Sequence, residues 1–148
     1  MEISIQIDSV QLVIINLHLD FRPRRSRMAQ VDPILKRIGT LTKSSTPPPP
    51  LIYGDFNTGK TRLNDAIRQF LIRSAEHLHY TYHPKNKLTY PTQFPSRGLD
   101  FILVPKPFVV RKASVIRSFA SFRLPVVAEI IAPCSTESSV SEPNTQRD

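Results

Sequence analysis

Two strand-like apolar runs separated by only two residues occupy the start of the chain and confine it to folds built around a β-sheet. Ile3, Ile5 and Ile7 alternate with Ser4 and Gln6, Asp8-Ser9 interrupts, and QLVIINLHL then runs to His18. Alternation with a period of two marks half-buried strands, and a two-residue polar break marks a tight turn between them. The period then changes. From Arg24 to Leu41 the apolar positions Met28, Val31, Leu35 and Ile38 fall three or four apart, which predicts a helix with one buried stripe. Pro33 is expected either to break this helix or to begin a new turn capped by Asp32.

The same punctuation continues downstream. KSSTPPPP reads as a stiff polyproline connector leading into a short strand, LIYG, and a loop, DFNTGKT. A second helix is expected over Leu63 to Leu78, with Ile67, Phe70, Leu71 and Ala75 on one face. Tyr80 to Ser96 is rich in Pro, Tyr, Thr and Asn without periodicity and reads as a long loop able to shape a surface site. LDFILV and LPVVAEII are two further buried strands, and the polar stretch after Pro133 is expected to be a disordered tail. Helices and strands in this order predict an α/β, layered architecture with helices packed over sheets. His18, Asp55, Asn57 and Asp100 would then stand at or near strand ends, where side chains from separate strands can converge.

Composition narrows the chemistry. The 148 residues provide for one domain, and a 40% hydrophobic content is enough for a core. With 20 Lys+Arg against 12 Asp+Glu the formal charge is +8, which suits polyanions such as nucleic acid or phosphorylated substrates but does not choose among them. The single cysteine, Cys134, excludes an internal disulfide and a multi-thiolate zinc site, leaving oxygen and imidazole donors for any metal. The N-terminus has no basic region followed by an apolar run, and nothing reaches membrane-spanning length, so a cytoplasmic protein without a membrane partner is expected.

GDFNTGKT, Gly54 to Thr61, admits two chemical readings. It satisfies the pattern of a phosphate-binding loop, in which Lys60 would meet the phosphates of a nucleotide and Thr61 its magnesium. Asp55, however, stands where a triphosphate must approach the backbone, and this reading leaves NLHLD, SRGLDFILV and LPVVAEI without a role. The other reading takes Asp55 and Asn57 as a carboxylate and an amide projecting from a strand end.

On that second reading LIYGDFN resembles the GDFN motif of the endonuclease/exonuclease/phosphatase family, the deoxyribonuclease I-like metal-dependent phosphoesterases. IINLHLD is similar to the family's strand ending in a His-Leu pair, PSRGLDFILV to its segment bearing an Asp that orients the catalytic His, and LPVVAEI to the end of its SDHLPV motif. The four matches occur in family order between residues 3 and 131. The resemblance implies a β-sandwich flanked by helices with its N-terminal strands missing. It further implies a truncated family domain over residues 1–132, a tail over 133–148, and a phosphoester substrate, with nucleic acid among the candidates. His18, Asp55, Asn57 and Asp100 would be the catalytic set, with Asp55 also a ligand for Mg²⁺ or Mn²⁺. Asn16, Arg97 and Arg123 would be substrate contacts.

The chemistry is consistent with these residue types. A phosphodiester repels hydroxide, so a hard cation held by carboxylate and amide oxygens must polarise it and orient water. Asp55 could hold the metal or take the nucleophile's proton, Asn57 could bond a phosphate oxygen, and His18 could donate to the phosphate or leaving group. Asp100 would fix a second imidazole in one tautomer. Structural roles are open beside these: Asp55 and Asn57 as turn formers, His18 as a surface residue, and Tyr80, Tyr82, Tyr90 and Phe94 as ordinary packing rather than base-stacking groups.

One departure stands out. Where the family has Ser-Asp-His-Leu-Pro, this chain has Ser121, Phe122, Arg123, Leu124 and Pro125. Arginine is no general base, and phenylalanine neither accepts a hydrogen bond nor binds a metal. The family's upstream metal-binding Glu also has no counterpart. The resemblance therefore implies a hydrolase-like domain impaired in catalysis, or a non-catalytic module that binds phosphate or nucleic acid. If the motifs are correctly placed, Arg123 should meet Asp100 in an ion pair.

Overall fold

A computed structural model describes residues 1–7, 10–43, 48–57, 73 and 79–133. The N-terminal alternation forms a hairpin: β1 (Glu2–Ile7) pairs antiparallel with β2 (Val10–His18), Ile7 opposite Val10, so the predicted two-residue break joins them. Helix α1 (Arg24–Leu41) crosses over to β3 (Leu51–Asp55), which pairs parallel with β2. After β4 (Tyr80–His83), β5 (Asp100–Pro105) inserts antiparallel between β3 and β4, giving a mixed sheet of order β1-β2-β3-β5-β4. β6 (Val109–Val115) and β7 (Val126–Ile131) form a separate antiparallel pair.

Period-two alternation divides the five-stranded sheet into two faces. Ile15, Leu17, Ile52, Tyr80 and Leu103 point to one face and pack with Val31 and Ile38 of α1. Met28 and Leu35 border the same core, so all four residues of the predicted helical stripe meet the sheet. On the opposite face Leu51 and Val104 cluster with Phe108, and Val110 and Ile130 of the small sheet pack against them. Helix, sheet and small sheet are thus layered in an α/β architecture.

Three sequence expectations change. α1 neither breaks nor restarts at Pro33 but continues through it. Pro33 and Ala29, whose carbonyl loses its helical partner, are both exposed, so water can satisfy the freed group while buried Val31 and Ile38 hold the axis. The stretch expected to be one long loop contains β4, whose Tyr80 is buried and donates its hydroxyl to the Pro50 carbonyl at 2.7 Å. Burial pushes the Tyr80 phenol upward. β6 was not anticipated, because Arg111 and Lys112 and a register shift between Val110 and Lys112 obscure its alternation. Of the second expected helix only Arg73 is described, paired with Asp32; the rest of Leu63 to Leu78, Lys60, Thr61, Cys134 and the remainder of the tail lie outside the described residues.

No described helix is long and apolar enough to cross a membrane. β1 pairs with β2 alone among the described strands, and Glu2 anchors it to α1 through both carboxylate oxygens, at 2.8 Å and 2.6 Å from Arg37. The Arg37 hydrogen bond holds the Glu2 carboxyl below its usual range.

Candidate functional site

Strand register assembles the site. His18 ends β2 directly beside Asp55 at the end of β3, and Asp55 is in turn directly opposite Asp100 at the start of β5. Laterally paired residues share a face, so the three side chains project together from the side of the sheet opposite α1. Gly54 makes the approach of β2 and β3 possible. Its φ is +141°, and a Cβ there would stand 1.9 Å from the Leu17 carbonyl oxygen. Backbone bonds extend the junction past the strand ends, from the Leu19 amide to the Asp55 carbonyl and from the Phe56 amide to the Leu99 carbonyl, each 2.8 Å.

Arg123 lies at the centre of the cluster. Its Nη2 is 2.5 Å from Asp55 Oδ2, while its Nη1 donates to Asp100 Oδ2 and Oδ1 at 3.2 Å and 3.3 Å. The expected Asp100–Arg123 pair is present, and Arg123 also spans to Asp55. Its guanidinium carbon lies 5.5 Å from the Tyr90 ring centroid, so an aromatic face supports the cation from behind. The arginine loop is fixed by the Leu124 amide donating to the Thr89 carbonyl and the Thr92 hydroxyl donating to the Ser121 carbonyl.

The remaining contacts show how each carboxylate is held. Asp55 Oδ1 accepts the Asn57 backbone amide at 2.9 Å; Oδ2 accepts the Asn57 side-chain amide at 3.0 Å and lies 3.2 Å from His18 Nε2. Asn57 adopts a φ of +47° and also donates to the Leu19 carbonyl at 2.7 Å, so its amide donors brace the β2–β3 junction. The turn-forming role open to Asp55 and Asn57 is therefore realised beside any catalytic one. Burial is the largest influence on Asp55 and raises its carboxyl above the usual range, and the charge of Asp100 adds to the rise. The Asn57 amide, Arg123 and His18 oppose it without cancelling it. His18 itself is largely exposed.

A residue without a sequence signal orients the second carboxylate. Thr89 is fully buried, donates its hydroxyl to Asp100 Oδ2 at 2.6 Å and accepts the Leu99 and Asp100 amides at 3.1 Å and 3.3 Å. Asp100, expected to orient an imidazole, is instead shared by a hydroxyl and a guanidinium. Asn16 lies on the His18 face of β2, one pleat back and level with Tyr53. Arg97 contributes backbone bonds to Tyr90 and leaves its side chain exposed. Of the loop aromatics, Tyr80 is core, Tyr82 packs edge-on against Phe101, Tyr90 underlies Arg123, and Phe94 is exposed. An open depression of about 340 Å³ adjoins the cluster, lined by Tyr53, Ile102, Leu124 and Val126 beside Asp100 and Arg123. That is a small-ligand volume, at the low end of the usual range.

GDFNTGKT begins as strand, not as an anion-binding loop: Gly54 and Asp55 are paired on both sides within the sheet. The residues also do not fit a divalent cation as they stand. Asp55 and Asp100 turn their oxygens toward Arg123, and no group of three or more His, Cys, Asp or Glu side chains among the described residues is arranged to hold a metal.

No protein-family model matches the chain, and no curated protein matches it. Solved structures do. The chain is similar to a mannosyl-6-phosphatase of Bacteroides thetaiotaomicron VPI-5482, with a TM-score of 0.70 and 17% identity, over 84% of this chain and 53% of that one. A Bacteroides thetaiotaomicron protein described as of the endonuclease/exonuclease/phosphatase family gives 0.63 and 18%, over 83% and 51%. A functionally unknown conserved protein of Enterococcus faecalis V583 gives 0.62 and 19%, over 85% and 52%. The chain spans about half the length of each of these structures, and over that half it shares their fold.

Proposed function

We propose that the chain is an endonuclease/exonuclease/phosphatase-like phosphoester hydrolase domain whose own turnover is impaired. The convergence of His18, Asp55, Asn57 and Asp100 at adjoining strand ends, in a fold shared with a phosphatase, carries the reading. A family enzyme's Mg²⁺ or Mn²⁺ would be held by Asp55 and would supply charge to a phosphoester, whereas here Asp55 is turned toward Arg123. His18, exposed beside Asp55, is the group positioned to donate to a phosphate oxygen or leaving group. Impairment follows from Arg123. It pairs with both carboxylates, cannot accept a proton, and its donors already face Asp55 and Asp100 rather than a ligand.

The purified chain is expected to show no Mg²⁺- or Mn²⁺-dependent turnover of p-nitrophenyl phosphate, bis(p-nitrophenyl) phosphate or plasmid DNA. Turnover at an ordinary enzymatic rate of about 1 per second or more, abolished by Asp55→Ala, would show the impairment to be misjudged.

A second reading, a phosphate- or nucleic-acid-binding module, is favoured by the net charge of +8. The acidic cluster does not attract a phosphate, so binding would rest on exposed cations such as Lys85, Lys87 and Arg97. Such binding should be independent of base sequence and weaken at least about tenfold between roughly 50 and 200 mM salt. Sequence-selective binding that survives high salt would remove this reading.

A further inference from the structure

We infer that the Arg123 guanidinium is a built-in counter-cation that takes the place of a divalent metal between Asp55 and Asp100, so that the native cluster is assembled without metal. The inference rests on the phosphoesterase-like reading for its contrast with a metal-holding site, but its evidence is the cluster itself.

Asp55 and Asp100 are directly opposed on neighbouring strands, the pairing in which like charges repel most. Asp55 is buried and Asp100 half-buried, so water screens them only in part. Such a pair needs a cation or must give up a charge by binding a proton. Arg123 meets the first requirement by spanning the two carboxylates, one nitrogen to each residue, as a bound ion would. It is also held in place: Tyr90 supports the guanidinium, and hydrogen bonds from Thr92 and Leu124 fix the segment that carries it. The partners on the carboxylates fall short of a metal's needs once Arg123 is present. Thr89 and Asn57 donate to Asp100 and Asp55, and His18 is the only other described side chain facing Asp55 Oδ2. A hard divalent ion calls for about six oxygen donors, and two carboxylates already sharing a guanidinium are poor ones.

Thermal unfolding of the purified full chain and of Arg123→Ala, at about pH 8 to favour ionised carboxyls, tests this with MgCl₂, MnCl₂ or EDTA. The native chain should melt at the same temperature, within about 1 °C, in EDTA and in about 5 mM of either metal. Arg123→Ala should melt lower by roughly 8 °C or more in EDTA and recover at least half of that loss in MnCl₂. In Asp55→Asn/Arg123→Ala the repulsion is gone, so the loss should shrink and the metal response disappear. Should Arg123→Ala fail to fold in EDTA, refolding it with MnCl₂ present gives the same readout, and Arg123→Lys should fall between it and the native chain.

A native chain stabilised by metal, with the effect abolished by Asp55→Asn, would overturn the inference. So would an Arg123→Ala chain that melts like the native one. Neither result depends on turnover: a chain inert toward phosphoesters yet stabilised through Asp55 by metal would sink the counter-cation and leave the proposed function standing. Phosphoester turnover that persists in EDTA and is lost on Asp55→Ala, with no metal effect on melting, would do the reverse.

Discussion

Gly54→Ala is expected to abolish folding of the domain. The methyl group would lie 1.9 Å from the Leu17 carbonyl oxygen, 2.9 Å from its carbon and 3.0 Å from its nitrogen. All three are backbone atoms of a paired strand, so no side chain can swing away to relieve the clash. The φ of +141° adds a second cost, because residues with a Cβ rarely adopt it. Moving β3 outward would break the Leu17–Gly54 and His18–Asp55 pairings and pull Asp55 from its partners. The combined penalty should exceed about 4 kcal/mol, a large part of the total stability of a domain this size. Circular dichroism and urea titration provide the measurement, and a cooperative transition within about 1 kcal/mol of the native one would refute the expectation.

Arg123→Ala should carry the next largest cost, and double-mutant cycles should divide it unequally. Removing the arginine leaves two facing carboxylates without their cation, a situation that costs about 3 kcal/mol or more when fully buried. The Arg123 side chain is 31% exposed against 7% for Asp55 and 20% for Asp100, so roughly 2 to 3 kcal/mol is the more suitable expectation here. The cycle with Asp55→Ala should give the larger coupling, near 2 kcal/mol, because that contact is shorter and drier. With Asp100→Ala it should be about 1 kcal/mol, since Thr89 continues to hold that carboxylate in the single variant. Additive effects in both cycles would mean that the arginine fills space and nothing more.

Much of this arrangement could be read from residue order, and the exceptions have physical causes. Ile3 to Ile7, the Met28 to Ile38 stripe, LIYG, LDFILV and LPVVAEII each carry a period or a mostly apolar run, and each becomes a strand or helix as expected. LPVVAEII, expected to be buried, nevertheless forms β7 with Val127 and Ile131 exposed, because it pairs only with β6 in a two-stranded sheet. YTYH carries no such pattern: four residues followed at once by Pro84 are too few to display alternation, and their strand character comes from pairing with β5. The Asp100–Arg123 contact was legible because a motif placed the two positions side by side. Arg123 reaching Asp55 was not, since it depends on Asp55 and Asp100 being in exact lateral register, which local pattern does not determine. Thr89 was hidden for a related reason. A lone threonine in a loop has no signature until tertiary contacts bury it beneath Asp100.

The strand order also sets how the cluster comes apart. β3 is the central strand, bonded along both edges, whereas β1 and β4 are the outer strands of the sheet. Amide protons in β3 should therefore exchange with solvent only when the whole domain opens, and those on the outward edge of β1 should exchange through brief local fraying. Asp55 belongs to the slow class by position. Arg123 belongs to a loop segment joined to the rest by a few hydrogen bonds, and should open sooner. The two sides of one ion pair thus lie in regions of different opening free energy, and the arginine side will leave first while the carboxylate waits in an intact sheet.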